Sequence, residues 1–416
     1  MSTNFKFPRL LVMMFLQYFV QGAWNMTIGA VLATYGLTTI VGSTYSVLGI
    51  ATIISPLFVG MVADRFIASQ KVMGLLHIIN AGVLFSLPIF VLSGNVSVFL
   101  GLIFVVGLLF YPTTALANSI SFRHINGVKL FPIVRVFGTI GFMTVGFTMG
   151  QLGIFDQVTT FKLAACASIL LGLYCFTLPN TPPAAKGKAF SIRDALCLDA
   201  LSLFKDKYFT IFMLSTFVLM IPKTAYSAYV PVYLKVLGLN SASMMQIATI
   251  VEVIFMLFLA ALLGRLGFKK VIFLGAISWI IRSLMLSEAA VSPYSLYFVV
   301  GALLLQGLCW DFFFTAGDIY VDKKAGPEIK AQAQGLRFIV SNGFGVFMAS
   351  SVCGLIKNSV VTENDMPAAA VQWQEFWVYP AIVAAVVSVA FWIFFKDKDV
   401  IMQREPSAQT GEKAAV

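Results

Sequence analysis

Residues 243–264 read SMMQIATIVEVIFMLFLAALLG, one acid, Glu252, inside an otherwise apolar run. At 1.5 Å per residue such a run spans about 33 Å as a helix, enough to cross a hydrocarbon core of about 30 Å. The apolar residues are continuous rather than alternating, so an outer-membrane strand of about 10 residues is excluded. A lone carboxyl at that depth is costly unless it is paired, protonated or turned to a wet cavity, and so marks a functional position.

The same reading extends along the chain. Of 416 residues, 59% are apolar, 11% are charged and 39 are Phe, and mean hydropathy is +0.90. Soluble domains carry about 25% charged residues, so a soluble enzyme is excluded. Breaks of Gly, Pro, Ser and charge predict spans near 9–34, 41–63, 72–94, 97–122, 133–155 and 159–179, then 209–236, 243–264, 269–290, 293–320, 332–356 and 374–396. The expected fold is an all-α integral membrane protein of twelve transmembrane helices. Its units are an N-terminal six-helix bundle (1–180), a linker (181–208), a C-terminal six-helix bundle (209–396) and a tail (397–416).

Net charge is +10, but the bases are scattered between apolar runs, which argues against nucleic acid. With an even span count, 21 Lys and Arg fall on one side, including Lys6, Arg65, Arg123, Arg265 and the linker bases; only Lys162, Lys235 and Lys357 fall on the other. The positive-inside rule then puts both termini and the linker in the cytoplasm. Cys166, Cys175, Cys197, Cys309 and Cys353 lack metal or redox spacing, and His77 and His124 are too few for a cluster. No metal and no cofactor are expected. GxxxxGK[ST], GxSxG and HExxH are absent, so neither ATP nor a hydrolytic nucleophile is implied.

The halves echo each other. Arg135-x5-Gly141-Phe142 recurs as Arg337-x5-Gly343-Phe344, and Gly60 as Gly264, the pseudo-symmetry of two-bundle secondary transporters. Arg135, Thr139 and Phe142, at i, i+4 and i+7, share a helical face: a cation, a hydroxyl and an aromatic plate suited to a polar, ring-bearing solute. Arg135 could instead snorkel to the surface, which is the expectation for Arg337. Thr249 precedes Glu252 by one turn. In Gln306-Gly-Leu-Cys-Trp310-Asp311, Gln306 and Trp310 share a face, and Asp311 can exchange a proton or pair statically with Arg282. Pro222 and Pro231 bracket Lys223, Thr224 and Ser227, where a helix bends around a cavity. Lys223 can pair with Glu252 or Asp311, bind an anionic solute or snorkel. Gln17, Gln21, Trp24 and Asn25 form a stripe that either lines water or joins helices.

Gly60-Met-Val-Ala-Asp64-Arg65 resembles the signature loop of the major facilitator superfamily, in which the glycine and the acid–base pair latch one conformation. With Tyr111-Pro112-Thr113, Phe131-Pro132 through Phe142, Cys197-Leu198-Asp199-Ala200, Asp311-Phe312-Phe313, Val321-Asp322-Lys323-Lys324 and Ala333-Gln334-Gly335, the chain resembles the nucleoside/proton symporter family of that superfamily over nearly its whole length. The resemblance implies a monomeric, proton-driven nucleoside importer in the bacterial inner membrane, its partners the nucleoside, the proton and the bilayer. It implies that Arg135, Thr139, Phe142 and Glu252 bind solute and that Asp311, with Glu252 and Arg282, couples the proton. Thr224, Ser227, Thr249 and Gln306 stand where nucleoside permeases have Gln, Asn, Gln and Tyr, and Trp310 replaces a Phe. Lys223 has no cationic equivalent. The Arg135 stripe and the acid of the eighth span are also similar to the lactose-type sugar symporters, so a sugar or glycoside is the alternative solute, and a non-transporting sensor the alternative of another class.

Overall fold

The computed structural model describes residues 6–63, 67–125, 127–183, 193, 197–326, 329–363 and 368–397, with backbone alone at 56–63, 127–129, 132 and 331. Among these residues there is no strand. The early helices are α1 (Lys6–Asn25), α2 (Ile28–Thr34), α3 (Val41–Ala63), α4 (Ser69–Leu92), α5 (Val96–His124), α6 (Gly127–Gln151) and α7 (Thr159–Cys175). The late ones are α8 (Lys207–Val236), α9 (Ser241–Val291), α10 (Ser295–Leu304), α11 (Gln306–Trp310), α12 (Ala316–Lys324), α13 (Lys330–Phe338), α14 (Val346–Val360) and α15 (Ala368–Phe394). Among the described residues eight helices are long and apolar enough to cross a bilayer, and α10 with the stretch Gln306–Lys324 makes a ninth span bent by 44°.

The departures from twelve clean spans have local causes. At 51 residues, α9 would run about 75 Å if straight, but Gly267 adopts φ 77° and ψ 171° inside it and turns the chain back. Only glycine takes that conformation without strain. The first span is divided into α1 and α2 at Asn25–Thr27, and α7, at 17 residues, is short. Within the bent span a π-helical turn covers Asp311–Thr315, and a second covers Ile339–Gly345; such turns collect at functional sites.

Packing inverts the usual order of a soluble protein. Leu257 is 76% and Tyr297 75% exposed, with Ile89, Leu92 and Leu355 also turned outward. Gln17, His77, Asn80, Thr113, Ser168 and Asp311 are fully buried. Gln17 Nε2 donates to Thr113 at 2.7 Å, its Oε1 lies 2.9 Å from His77 Nε2, and His77 Nδ1 lies 3.0 Å from Ser168 Oγ. Gln17 therefore joins helices rather than lining water. The expectation for Arg337 fails outright: it is buried, paired with Asp318, and its Nη2 donates to the Phe314 carbonyl at 2.7 Å.

Early and late helices meet closely at the end opposite the termini, hereafter the far end. A Cβ on Gly42 would stand 2.6 Å from Gly354 Cα, and one on Gly29 2.4 Å from the Ala228 carbonyl oxygen. Ser46 Oγ lies 2.9 Å from Ser350 Oγ, Asn358 Nδ2 donates to the Thr39 carbonyl at 2.8 Å, and Lys235 Nζ reaches Asp156 at 2.7 Å. Small residues and hydroxyls are what close helix contacts in a membrane use. Beside this seam lies a cavity of about 420 Å³ whose walls include Thr34, Lys235, Lys357 and Trp373.

Gly141 offers a direct check on the packing, since a Cβ there would fall 2.1 Å from the Phe15 carbonyl oxygen, whereas one on Gly82 meets nothing within 4 Å. Gly141→Ala should cost about 1–3 kcal/mol as an overpacked contact and lower the unfolding midpoint in detergent. Gly82→Ala should be neutral or raise it slightly by helix propensity. Equal midpoints for the two variants would contradict the α1–α6 contact.

Candidate functional site

The π-turn aims Asp311 into the interior, where it is fully buried. Its Oδ1 accepts from Thr315 at 3.2 Å, and its Oδ2 has no partner. From α9, Glu252 Oε2 accepts from Gln306 Nε2 at 3.0 Å, which leaves Gln306 Oε1 buried and unsatisfied. The charge of Glu252 acts on Asp311, and that of Arg282 on Glu252.

Arg282, also on α9 but beyond the Gly267 reversal, is 1% exposed. Its guanidinium carbon sits 4.1 Å from the Tyr226 ring centroid and 5.1 Å from that of Trp279. Nε donates to the Ala302 carbonyl at 3.0 Å, while Nη1 and Nη2 have no partner. No ion pair within 4 Å joins Arg282 to Asp311 among the described residues, so the static pair is not formed; Arg282 is held by aromatic faces and one carbonyl instead. Lys223 likewise makes no carboxylate pair among the described residues. Its ammonium lies 5.5 Å from the Trp310 ring centroid, and Trp310 leans on Phe314 with centroids 5.4 Å apart.

The hydroxyls divide by role. Ser227 Oγ donates to the Lys223 carbonyl at 3.0 Å and Thr249 Oγ1 to the Met245 carbonyl at 3.3 Å, both committed to their own helices. Thr224 Oγ1 and Tyr226 OH are buried without partners. On the early helices, Arg135 donates to Tyr18 OH, with its guanidinium carbon 5.1 Å from that ring centroid. Thr139 and Phe142 are half-buried on the same helix, and Phe142 lies against Gly22. Arg135 also acts electrostatically on Asp318 of α12, which links the stripe to the late helices. In the latch, Asp64 and Arg65 lie outside the described residues and Gly60 is described by backbone alone.

An unpaired buried donor or acceptor costs about 1–3 kcal/mol. Here several helices carry such orphans: Asp311 Oδ2, both Arg282 Nη atoms, Gln306 Oε1, Thr224 Oγ1 and Tyr226 OH, with Gln21 Oε1, Trp24 Nε1 and Asn118 Oδ1 on the early side. That pattern fits a polar solute or water rather than a sealed core. Tyr18, Tyr226, Trp279, Asn118 and Asp318 were not among the expected site residues. Two of them had a readable signal: Tyr226 stands one turn beyond Lys223, and Asp318 lies seven residues after Asp311, on the same face.

A family model described as "Nucleoside H+ symporter" matches residues 1–400. YegT of Escherichia coli K12 is 33% identical over 406 residues, covering 94% of each chain. The nucleoside permease NupG of the same organism is 29% identical over 94% of this chain and 96% of its own, and the xanthosine permease is 29% identical over 93% and 95%. The crystal structure of a mutant form of the nucleoside transporter NupG superposes with a TM-score of 0.85 at 27% identity, covering 94% of this chain and 99% of that one. A D-xylose–proton symporter structure, at TM-score 0.74 and 14% identity, shares the fold. With buried carboxyls and unsatisfied donors gathered inside a membrane-type helical fold, and with the match running through residue 400, the chain belongs to the nucleoside H+ symporter family.

Proposed function

We propose that the protein imports nucleosides together with protons across a bacterial inner membrane by alternating access. The single observation that carries this is Asp311: a fully buried carboxyl with one free oxygen, beside a second carboxyl, Glu252, and the unsatisfied N–H groups of Arg282. Taking up a proton removes a charge whose burial would otherwise need a partner, so the loaded carrier can close and reopen on the other side.

In this reading the chain forms twelve spans in two bundles, 1–180 and 209–396, joined by a cytoplasmic linker and ending in a cytoplasmic tail, with the far end outside. Counting α9 as two spans and α1 with α2 as one supports that number. The solute lies between the bundles, with Arg135, Thr139 and Phe142 on one side and Glu252, Gln306, Trp310 and Thr224 on the other. Ser227 and Thr249 border the site and would need to release their own helices' carbonyls to reach solute. Asp311 takes the proton, with Glu252 and Arg282 coupled to it; Gly60, Asp64 and Arg65 latch the cytoplasmic ends, and the carrier works as a monomer. The far-end seam, dense in glycine and hydroxyl contacts, supports assigning this conformation as closed to the outside.

In proteoliposomes with an inward proton gradient, labelled nucleoside should accumulate and collapse with the gradient; accumulation without one rejects symport. Asp311→Asn should lower uphill uptake at least about tenfold while sparing exchange of internal for external nucleoside, because fixed neutrality permits the loaded but not the empty transition. Unimpaired uphill uptake by that variant would remove Asp311 from coupling.

A second check concerns the seam. Partial burial pushes the Asp156 carboxyl up, but hydrogen bonds from Lys235 and Thr34, helped by the lysine charge, outweigh it and hold the group below its ordinary value. A depressed carboxyl contributes stability above the usual carboxylate range and loses it as pH falls through the lowered value. Spin labels at Ala33 and Val361 should therefore move apart on acidification below about pH 4, the ordinary aspartate range. In Asp156→Asn they should already be farther apart at neutral pH, with no further change over that window. A label distance independent of both pH and this substitution would show that the contact holds nothing shut.

A further inference from the structure

Away from the central site, at the far end, one cation stands without a counter-charge. Lys357, in the last turn of α14, is 4% exposed. Among the described residues it makes no ion pair. The negative end of the helix dipole favours a cation in that turn, but by less than the hydration an ammonium gives up on burial.

The Lys357 side chain lines the cavity of about 420 Å³ beside the far-end seam, a volume in the range of small-molecule sites. Trp373 lines it too, and its indole N–H is buried with no partner. Lys235, on the same wall, already donates to Asp156 and Thr34, so its charge is balanced. Glu363 is the acid on the wall; it is exposed, where water screens its charge. The two buried side chains of the cavity that lack partners, Lys357 and Trp373, are both donors. The cavity is also shared between the halves. Thr34 and Thr38 come from the early helices, Lys357 and Trp373 from the late ones, and beside it Asn358 donates to the Thr39 carbonyl at 2.8 Å.

We propose that this cavity binds a phosphate, free or borne on a sugar, between Lys357 and Trp373 on one wall and Thr38 on the other. A phosphate group offers three strong acceptor oxygens, one each for the ammonium, the indole N–H and a threonine hydroxyl, and a charge-assisted bond to Lys357 is the strongest of these. Because the ligand touches both halves, it binds best when they are close and draws the carrier toward that form. On the orientation and symport proposed above, external phosphate thus holds the carrier closed to the outside and slows uptake; the binding itself rests on neither.

Equilibrium dialysis of the full chain in detergent, at constant ionic strength, tests the binding with labelled inorganic phosphate, ribose 5-phosphate and ribose. At least one of the two phosphates should bind saturably, and ribose at least about tenfold more weakly; which phosphate binds tells whether the ligand is free or borne on a sugar. Lys357→Gln should weaken binding at least about tenfold, and Lys357→Arg should keep it. No saturable binding, ribose binding equal to that of its phosphate, or unchanged affinity in Lys357→Gln each overturns the proposal. If Lys357→Gln fails to assemble, Glu363→Gln, a change at an exposed side chain, places the ligand: removing the acid should tighten binding about twofold or more, and an affinity unchanged or weakened puts the anion elsewhere. In proteoliposomes the phosphate that binds, added outside, should slow uptake of labelled uridine, and about tenfold more of it should be needed in Lys357→Gln. Binding without inhibition would overturn the closing role, whereas absence of any uridine uptake would count against symport and leave the dialysis result standing.

Discussion

A bilayer core offers no water to a polar group, and each feature of this molecule answers that fact. Backbone N–H and C=O groups must be satisfied within the segment that crosses, which leaves helices as the solution for an uninterrupted apolar chain. Side chains obey the same rule in a graded way. Leu257 and Tyr297 can face lipid without penalty, while Asp311, His77 and Gln17 must face one another or a shared interior. Around Gln17 the demand is met in full by His77, Thr113 and Ser168, and the early helices are fixed together there. Around Asp311 it is not met. Several atoms there have no protein partner, and each costs about 1–3 kcal/mol where it stays unpaired.

That contrast sets the Gln17 network apart from the proposed site. Both are buried and both mix titratable and neutral groups, so composition does not distinguish them; satisfaction does. It also accounts for where the bundle is tight. At the far end, Gly42 faces Gly354 and Gly29 faces the Ala228 carbonyl, so backbones approach with nothing between them.

Hydropathy alone made most of the fold legible, because a transmembrane helix is specified by one local property over about 20 residues. The interruptions were less legible. Gly267 looked like any glycine in a short basic turn, and its positive-φ conformation, which reverses the chain with helix on either side, depends on how both flanking segments pack. Among site residues, the chemistry of Asp311, Glu252 and Arg135 was visible because an ionisable group in an apolar run stands out by itself. Partnerships were not visible. Arg337 looked like a residue that snorkels to the surface, yet Asp318 and the Phe314 carbonyl, brought over by a neighbouring span, bury it. Arg282 looked like the counter-ion of Asp311, but Tyr226 and Trp279 hold its guanidinium where Glu252 feels its charge instead. Helical periodicity tells which residues share a face; it does not say which face of which other helix they meet.

The coupling of proton and solute follows from the same geometry. Glu252 acts on Asp311, and Gln306 bridges toward Glu252 from the turn that carries Trp310. A proton on either acid therefore strengthens the net positive field felt by anything lying against Lys223 and Arg282. Binding free energies are reciprocal, so a solute whose charge favours that field must in turn be favoured by protonation to the same extent. A neutral solute gains from the proton through hydrogen bonds to the acid it neutralises, and the two carboxyls have capacity left for them: one bond each is committed, to Thr315 and to Gln306, and Asp311 Oδ2 is free.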